Sequence, residues 1–209
     1  MKVFITRKIP HIGIELLKKK GYTLNIFKPE RPIKPEELIR GAKDADAVIT
    51  LLTDKIDDFI MSKLPKLKII SNFAVGYNNI DIAAAEKRNI MVTNTPGVLT
   101  EATADTAFAL LISCSRRIVE SDKFMREGKF IGWDPMLLLG TELHGKTVGI
   151  IGAGRIGTAF AKRCSGFDMK IQYFSRRHNP ALESKLNAKK VTLNKLLLTS
   201  DFISIHIPL

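Results

Sequence analysis

The sequence predicts an α/β protein of two domains, and three observations predict it. Over the first hundred residues short β-rich runs alternate with amphipathic stretches, the pattern of βαβ units around a parallel sheet. From Thr100 a stretch with helical apolar spacing runs longer than a crossover needs, and beyond it a second alternating series begins. With 209 residues, 45% of them hydrophobic, the chain has enough apolar material to bury one or two cores.

Taken in order, residues 2–6 (KVFIT) read as a strand, and Pro10 then starts a helix (IGIELLKKK) that Gly21 closes. Residues 22–27 (YTLNIF) form the second strand. After the proline-broken loop KPERPIK, Pro35 opens a helix through about Ala42, and 47–52 (AVITLL) is the third strand. A helix around 55–63 leads to a strand at 67–73 (LKIISNF) and a Gly/Asn-rich loop, AVGYNN. A helix from about Ile80 to Arg88 and a strand at 90–94 (IMVTN) complete the set. Five strands and four crossovers make residues 1–99 a flavodoxin-like domain.

Residues 100–128 read as one helix that links this domain to a second over 100–209, and 129–145 are irregular, with Gly, Asp-Pro and Gly again. A strand at 146–152 (KTVGIIG), a helix over about 155–165 and a strand at 170–175 (KIQYFS) follow. Then come the turn RRHNP, a short helix near 181–187, a short strand at KKV, a helix LNKLLLTS and a strand at 202–207 (FISIHI).

Composition removes several function classes. No apolar run approaches the roughly 20 residues of a membrane-spanning helix, and the start, MKVFITRKIP, meets Arg7 and Lys8 too early for a secretory leader. A cytoplasmic protein without a membrane partner is expected. Cys114 and Cys164 lie in separate helical contexts without metal-ligand spacing, so neither a metal site nor a disulfide is expected. The 33 Lys and Arg against 21 Asp and Glu give a charge of +12, which taken alone invites a nucleic acid. The basic groups are short, end helices or flank turns, and accompany no nucleic-acid-binding motif, so no nucleic-acid partner is expected.

The chemistry is carried by Gly152-Ala153-Gly154-Arg155-Ile156-Gly157, a G-x-G-x-x-G run with an apolar strand before it and an amphipathic helix after it. Gly152 permits the tight turn, Gly154 lets a pyrophosphate approach the backbone, and Gly157 allows the helix to pack closely on the strand. The helix start presents free N–H groups and a partial positive charge to the phosphates. This is the fingerprint of a Rossmann dinucleotide-binding domain. About 20 residues on, where a carboxylate would bond the ribose hydroxyls of NAD, the sequence reads Ser175-Arg176-Arg177. A hydroxyl and two guanidiniums suit a 2′-phosphate, so NADP(H) is the expected cofactor, with NAD as the alternative.

Together these residues resemble the D-isomer-specific 2-hydroxyacid dehydrogenase family, in its glyoxylate/hydroxypyruvate reductase branch. The resemblance spans the chain: NFAVGYNNID (72–81), VTNTPGVLTEATADTAFALL (92–111), GWDP (132–135), LHGKTVGIIGAGRIG (143–157), YFSRR (173–177) and SDFISIHIPL (200–209). It implies an N-terminal substrate domain, an inserted Rossmann domain, a small 2-oxo or 2-hydroxy acid bound in the cleft between them, and a homodimer of the full-length form. Carried onto matching positions, the backbone of Val75 and Gly76 holds the substrate carboxylate, with Leu51 nearby. Thr103 approaches the cofactor, Arg155 and Ile156 meet the pyrophosphate, Ser175 to Arg177 meet the 2′-phosphate, and His206 and Pro208 border the nucleotide. The residues agree for 72–81: this loop follows a strand's carboxyl end, where open α/β sheets bind ligands, and Gly76 leaves N–H groups exposed to an anion. A glycine turn beside an Asp81 helix cap is the plainer alternative.

In the resembled family a histidine donates the proton, a glutamate orients it and an arginine holds the substrate, all downstream of the strand that ends here in His206-Ile207-Pro208-Leu209. None of His11, His144, His178 and His206 matches the acid's position, so no catalytic residue is assigned in this chain. A doubly wound sheet in the order 3-2-1-4-5-6 would be incomplete without its fifth and sixth strands. The expectation is a C-terminally truncated dehydrogenase with an incomplete Rossmann domain, lacking efficient catalysis alone. The alternative is a catalytically inactive nucleotide-binding or protein-interaction remnant.

Overall fold

The computed structural model describes residues 1–207, which form two compact units, Met1–Gly97 and a second beginning at Val98. In the first unit the order is β1 (Lys2–Ile5), α1 (His11–Lys19), β2 (Thr23–Ile26), α2 (Pro35–Ala42), β3 (Ala47–Thr50), α3 (Asp58–Ser62), β4 (Ile69–Asn72), α4 (Ile82–Lys87) and β5 (Met91–Thr93). All strands are parallel, in the order β2-β1-β3-β4-β5, which is the flavodoxin arrangement. Alternation along β1 explains the layering: Phe4 faces a core with Leu38, Val48, Ile60 and Ile70, while Val3 and Ile5 face the opposite core with Ala47. The register pairs Ile5 with Ile49 and Ile49 with Ser71, so the loops after β1, β3 and β4 emerge side by side.

The second unit comprises α5 (Thr100–Ser115), α6 (Ile118–Arg126), β6 (Thr147–Ile151), α7 (Arg155–Ser165), β7 (Lys170–Phe174), α8 (Pro180–Leu186), β8 (Lys189–Lys190), α9 (Leu193–Thr199) and β9 (Phe202–Ile205). Its parallel sheet runs β8-β7-β6-β9, the 3-2-1-4 part of a doubly wound order. The core holds Val148, Ile150, Phe160, Tyr173 and Leu182, all fully buried, and the burial of each of the four hydrocarbon side chains contributes about 1.5–3 kcal/mol. Helix α5 packs on α7: Phe108 stands edge-on to Phe160 at 6.2 Å and to Phe167 at 5.0 Å between centroids, and Arg163 of α7 bonds Asp105 at 2.6 Å.

One expectation is corrected. Residues 100–128 are not a single helix: it breaks at Arg116 and Arg117, where Arg117 takes a left-handed conformation with φ of 53°. The cause is tertiary. Thr141 N–H takes the Ser115 carbonyl at 2.7 Å, and Gly140 lies so close that an added Cβ would be 2.4 Å from that same oxygen. Among the described residues, no helix is long and apolar enough to cross a membrane.

Candidate functional site

The turn between β6 and α7 shows three glycines in three different situations. Gly152 has φ of +99°, and a Cβ there would fall 2.4 Å from the His206 carbonyl oxygen at the end of β9. A Cβ on Gly157 would come within 2.2 Å of the Gly152 oxygen, so the helix can lie on this turn only without one. Around Gly154 there is open space: nothing stands within 4 Å of a Cβ. Gly154 is also the N-cap of α7 and supplies no side-chain oxygen, so the first N–H groups, those of Arg155 and Ile156, have no partner among the described residues. A helix end left open in this way attracts a phosphate through its N–H groups and its partial positive charge.

Beyond β7 the turn carries Ser175, Arg176 and Arg177. Both arginines are exposed, and neither guanidinium forms an ion pair among the described residues. The nearby Glu183 carboxylate is turned elsewhere: it accepts from the Tyr173 phenol and lies 2.9 Å from His178 Nδ1, and these bonds hold it below the usual carboxylate range.

A groove of about 730 Å³ runs between α5 and β9, lined in part by Thr103, Leu110, Ile203 and the same His206 whose carbonyl lies against Gly152. The exposed Thr103 and the half-buried His206 therefore meet one space. His206 packs against Phe160 with centroids 5.1 Å apart, its Nε2 lies 2.9 Å from Ser204 Oγ, and burial pushes its pKa down, favouring the neutral ring. Pro208 lies outside the described residues.

In the first unit the loops after β3 and β4 are shaped by side-chain amides. Asn72 donates to the Gly76 carbonyl at 2.7 Å, Asn94 donates to the Val75 carbonyl at 2.8 Å, and Thr95 N–H takes the Ala74 carbonyl at 2.9 Å. Three successive carbonyls are thus spent. In a trans peptide the next N–H points the opposite way, so the amides of Val75, Gly76 and Tyr77 are turned from these anchors, and none has a partner among the described residues. Such amides suit a carboxylate. Asn79 donates to the Leu51 carbonyl at 3.1 Å and Asp54 accepts the Leu51 N–H at 2.8 Å, leaving Leu51 only its side chain to offer a ligand. Asp54 is buried and also accepts from Thr6.

A family model described as "D-isomer specific 2-hydroxyacid dehydrogenase, catalytic domain" matches residues 3–199. The chain belongs to this family. Among its dehydrogenase relatives is a glyoxylate reductase of Thermococcus litoralis, 51% identical over 100% of this chain and 64% of its own length. The chain thus spans about 64% of the length of that curated relative. A solved protein from Thermus thermophilus superposes with a TM-score of 0.94 at 38% identity, over 100% of this chain and 65% of its own. An acyclic imino acid reductase in complex with NADPH and D-Arg gives 0.84 at 28% identity, over 100% and 66%. The Aquifex aeolicus D-lactate dehydrogenase complexed with NAD and lactic acid gives 0.83 at 27%, over 100% and 61%.

For this dehydrogenase-family chain, the sequence pointed to the residues of the two turns and missed the side chains that hold those turns in shape. Asn72, Asn79, Asn94, Asp54 and Thr6 hold the 51–54 and 72–79 loops, and Asn179 and Thr158 hold the glycine turn. Asn72 and Asn79 stood in the quoted NFAVGYNNID segment, yet their spacing of seven carries no signal of which carbonyl each would meet. Arg7, directly after β1, was also missed; its Nε and Nη2 are buried without a hydrogen-bond partner among the described residues. Among the same residues, no cluster of three or more His, Cys, Asp or Glu could hold a metal ion.

Proposed function

We propose that this chain carries the substrate-holding and coenzyme-holding parts of an NADP-dependent reductase of small 2-oxo acids such as glyoxylate or hydroxypyruvate. Residues 1–99 act as the substrate domain and 100–209 as the nucleotide domain. The observation that carries the reading is the open N-terminus of α7 behind Gly154, with Arg176 and Arg177, exposed and without an ion pair among the described residues, following the next strand. The substrate class is supported by the glyoxylate reductase named among the relatives. Structural neighbours hold NADPH in one case and NAD in another, so the coenzyme assignment rests on the 175–177 turn.

Bound NADPH supplies the hydride that reduces the 2-oxo carbon. The amides of Val75 and Gly76 hold the substrate carboxylate, and the Leu51 side chain lies beside it. Gly152, Gly154 and Gly157 shape the turn at which Arg155 and Ile156 N–H groups hold the diphosphate. Ser175, Arg176 and Arg177 hold the 2′-phosphate, and Thr103 and His206 border the nucleotide. His206, packed on Phe160, would serve as a wall of the nucleotide site and not as the proton donor. None of the four histidines matches the family acid, so the 209-residue chain binds its ligands but reduces glyoxylate slowly.

Equilibrium titration with NADPH and NADH tests the coenzyme reading: charge-assisted bonds to the 2′-phosphate should favour NADPH by about 10- to 100-fold. Equal affinities would overturn it. NADPH oxidation with glyoxylate should stay far below the ordinary range of about 1 to 10³ per second.

A further inference from the structure

Asn179 closes the turn that carries Ser175, Arg176 and Arg177, and every polar group of its carboxamide is used. Nδ2 donates to the Ala153 carbonyl at 2.9 Å and to Thr158 Oγ1 at 2.9 Å, while Oδ1 accepts from Leu182 N–H at 3.2 Å and caps α8. Its own N–H donates to the phenol oxygen of the fully buried Tyr173 at 2.9 Å. Thr158 Oγ1 in turn donates to the Gly154 carbonyl at 2.7 Å. Ala153 and Gly154 are therefore both anchored to Asn179, one directly and one through Thr158. Because the carbonyl and the following N–H of a trans peptide are antiparallel, this anchoring faces the amides of Gly154 and Arg155 away from Asn179. Among the described residues, no side chain of 175–178 makes a hydrogen bond to the glycine turn.

We propose that Asn179 is a positioning residue that fixes the spacing between the diphosphate-holding amides and the Ser175–Arg177 turn, and so sets the preference for a 2′-phosphorylated dinucleotide. The inference rests on the coenzyme reading above. The 2′-phosphate and the diphosphate of one coenzyme lie a set covalent distance apart. Holding both demands two protein segments at a matching distance, and a tie made before binding spares the ordering that would otherwise oppose it. NADH, without the 2′-phosphate, gains little from that tie.

The test uses Asn179→Ser in the full 209-residue chain, because serine retains an oxygen to cap α8 but is too short to reach Ala153 and Thr158. Dissociation constants for NADPH and NADH are measured by fluorescence titration. The expected result is a fall of about tenfold in the preference for NADPH over NADH, the scale of one lost charge-assisted contact, with NADH affinity little changed. Thr158→Val leaves the α8 cap and the bond to Ala153 in place and should lower the same ratio by less; it carries the test alone if Asn179→Ser fails to fold. An unchanged ratio, or equal weakening of both coenzymes, overturns the role. A parent chain that binds NADH as tightly as NADPH overturns the coenzyme reading itself, and this inference with it.

Discussion

The turn after β6 and the loop after β4 both lead from a parallel strand into a helix, and both have carbonyls tied back so that amides are left free. They differ at the helix cap. Gly154 brings no oxygen to the start of α7, whose first N–H groups stay open, whereas Asp81 caps α4 and takes the Ala84 N–H at 2.9 Å. The open end adds helix charge to its amides and suits a diphosphate. The closed end leaves the peptide amides of Val75 to Tyr77 alone, which suits a single carboxylate. One glycine and one aspartate thus leave one helix start open and the other closed.

The largest way to break this comparison is Gly152→Val, which forces a branched side chain into a left-handed conformation against the His206 carbonyl. Strain and overpacking together should destabilise the second unit by about 3 kcal/mol or more in urea unfolding, and an unchanged midpoint would show that the turn does not need glycine there. Asn79→Ala leaves the Asp54 carbonyl without its donor and the Leu51 carbonyl with only the Asp54 N–H, and should cost about 1–3 kcal/mol in the same assay, without changing coenzyme affinity.

Gly154→Ala sharpens the contrast from the other side. The Cβ enters open space, so stability should hold within about 0.5 kcal/mol. It would stand where the diphosphate approaches, so NADPH affinity should fall about tenfold, or about 1.4 kcal/mol, by titration. Asp81→Ala, which opens α4, should destabilise by about 1 kcal/mol.

The smallest effect is on pH. Burial holds the His206 pKa below its ordinary 6.5, so the unfolded chain takes the proton first as pH falls. The stability of the neutral ring is present above about pH 6.5 and declines below it, weakly for this half-exposed group. His206→Asn should flatten the thermal-midpoint profile between about pH 7.5 and 5.5; a profile that stays as steep would assign the dependence elsewhere.

Much of the fold was legible because it is written locally. Apolar runs of four to six residues marked the sheet strands, and helix α7 was bounded by Gly154 on one side and Gly166 on the other. The break at Arg117 was not legible: its 16-residue apolar neighbour α5 reads on into α6 without a helix breaker, and the left-handed turn is imposed by Gly140 and Thr141 from more than 20 residues away.

By itself the sequence determined the alternation of strands and helices, the family, the glycine turn and the basic turn that follows it, since each depends on residue type and near-neighbour spacing. Only the tertiary structure decided which carbonyls Asn72, Asn79, Asn94 and Asn179 would bind. Those bonds join residues 4 to 28 apart, and a side-chain amide meets a given carbonyl only after strand register and loop path have brought the two within about 3 Å. An asparagine looks the same in a sequence whether it will face solvent or hold a loop in place.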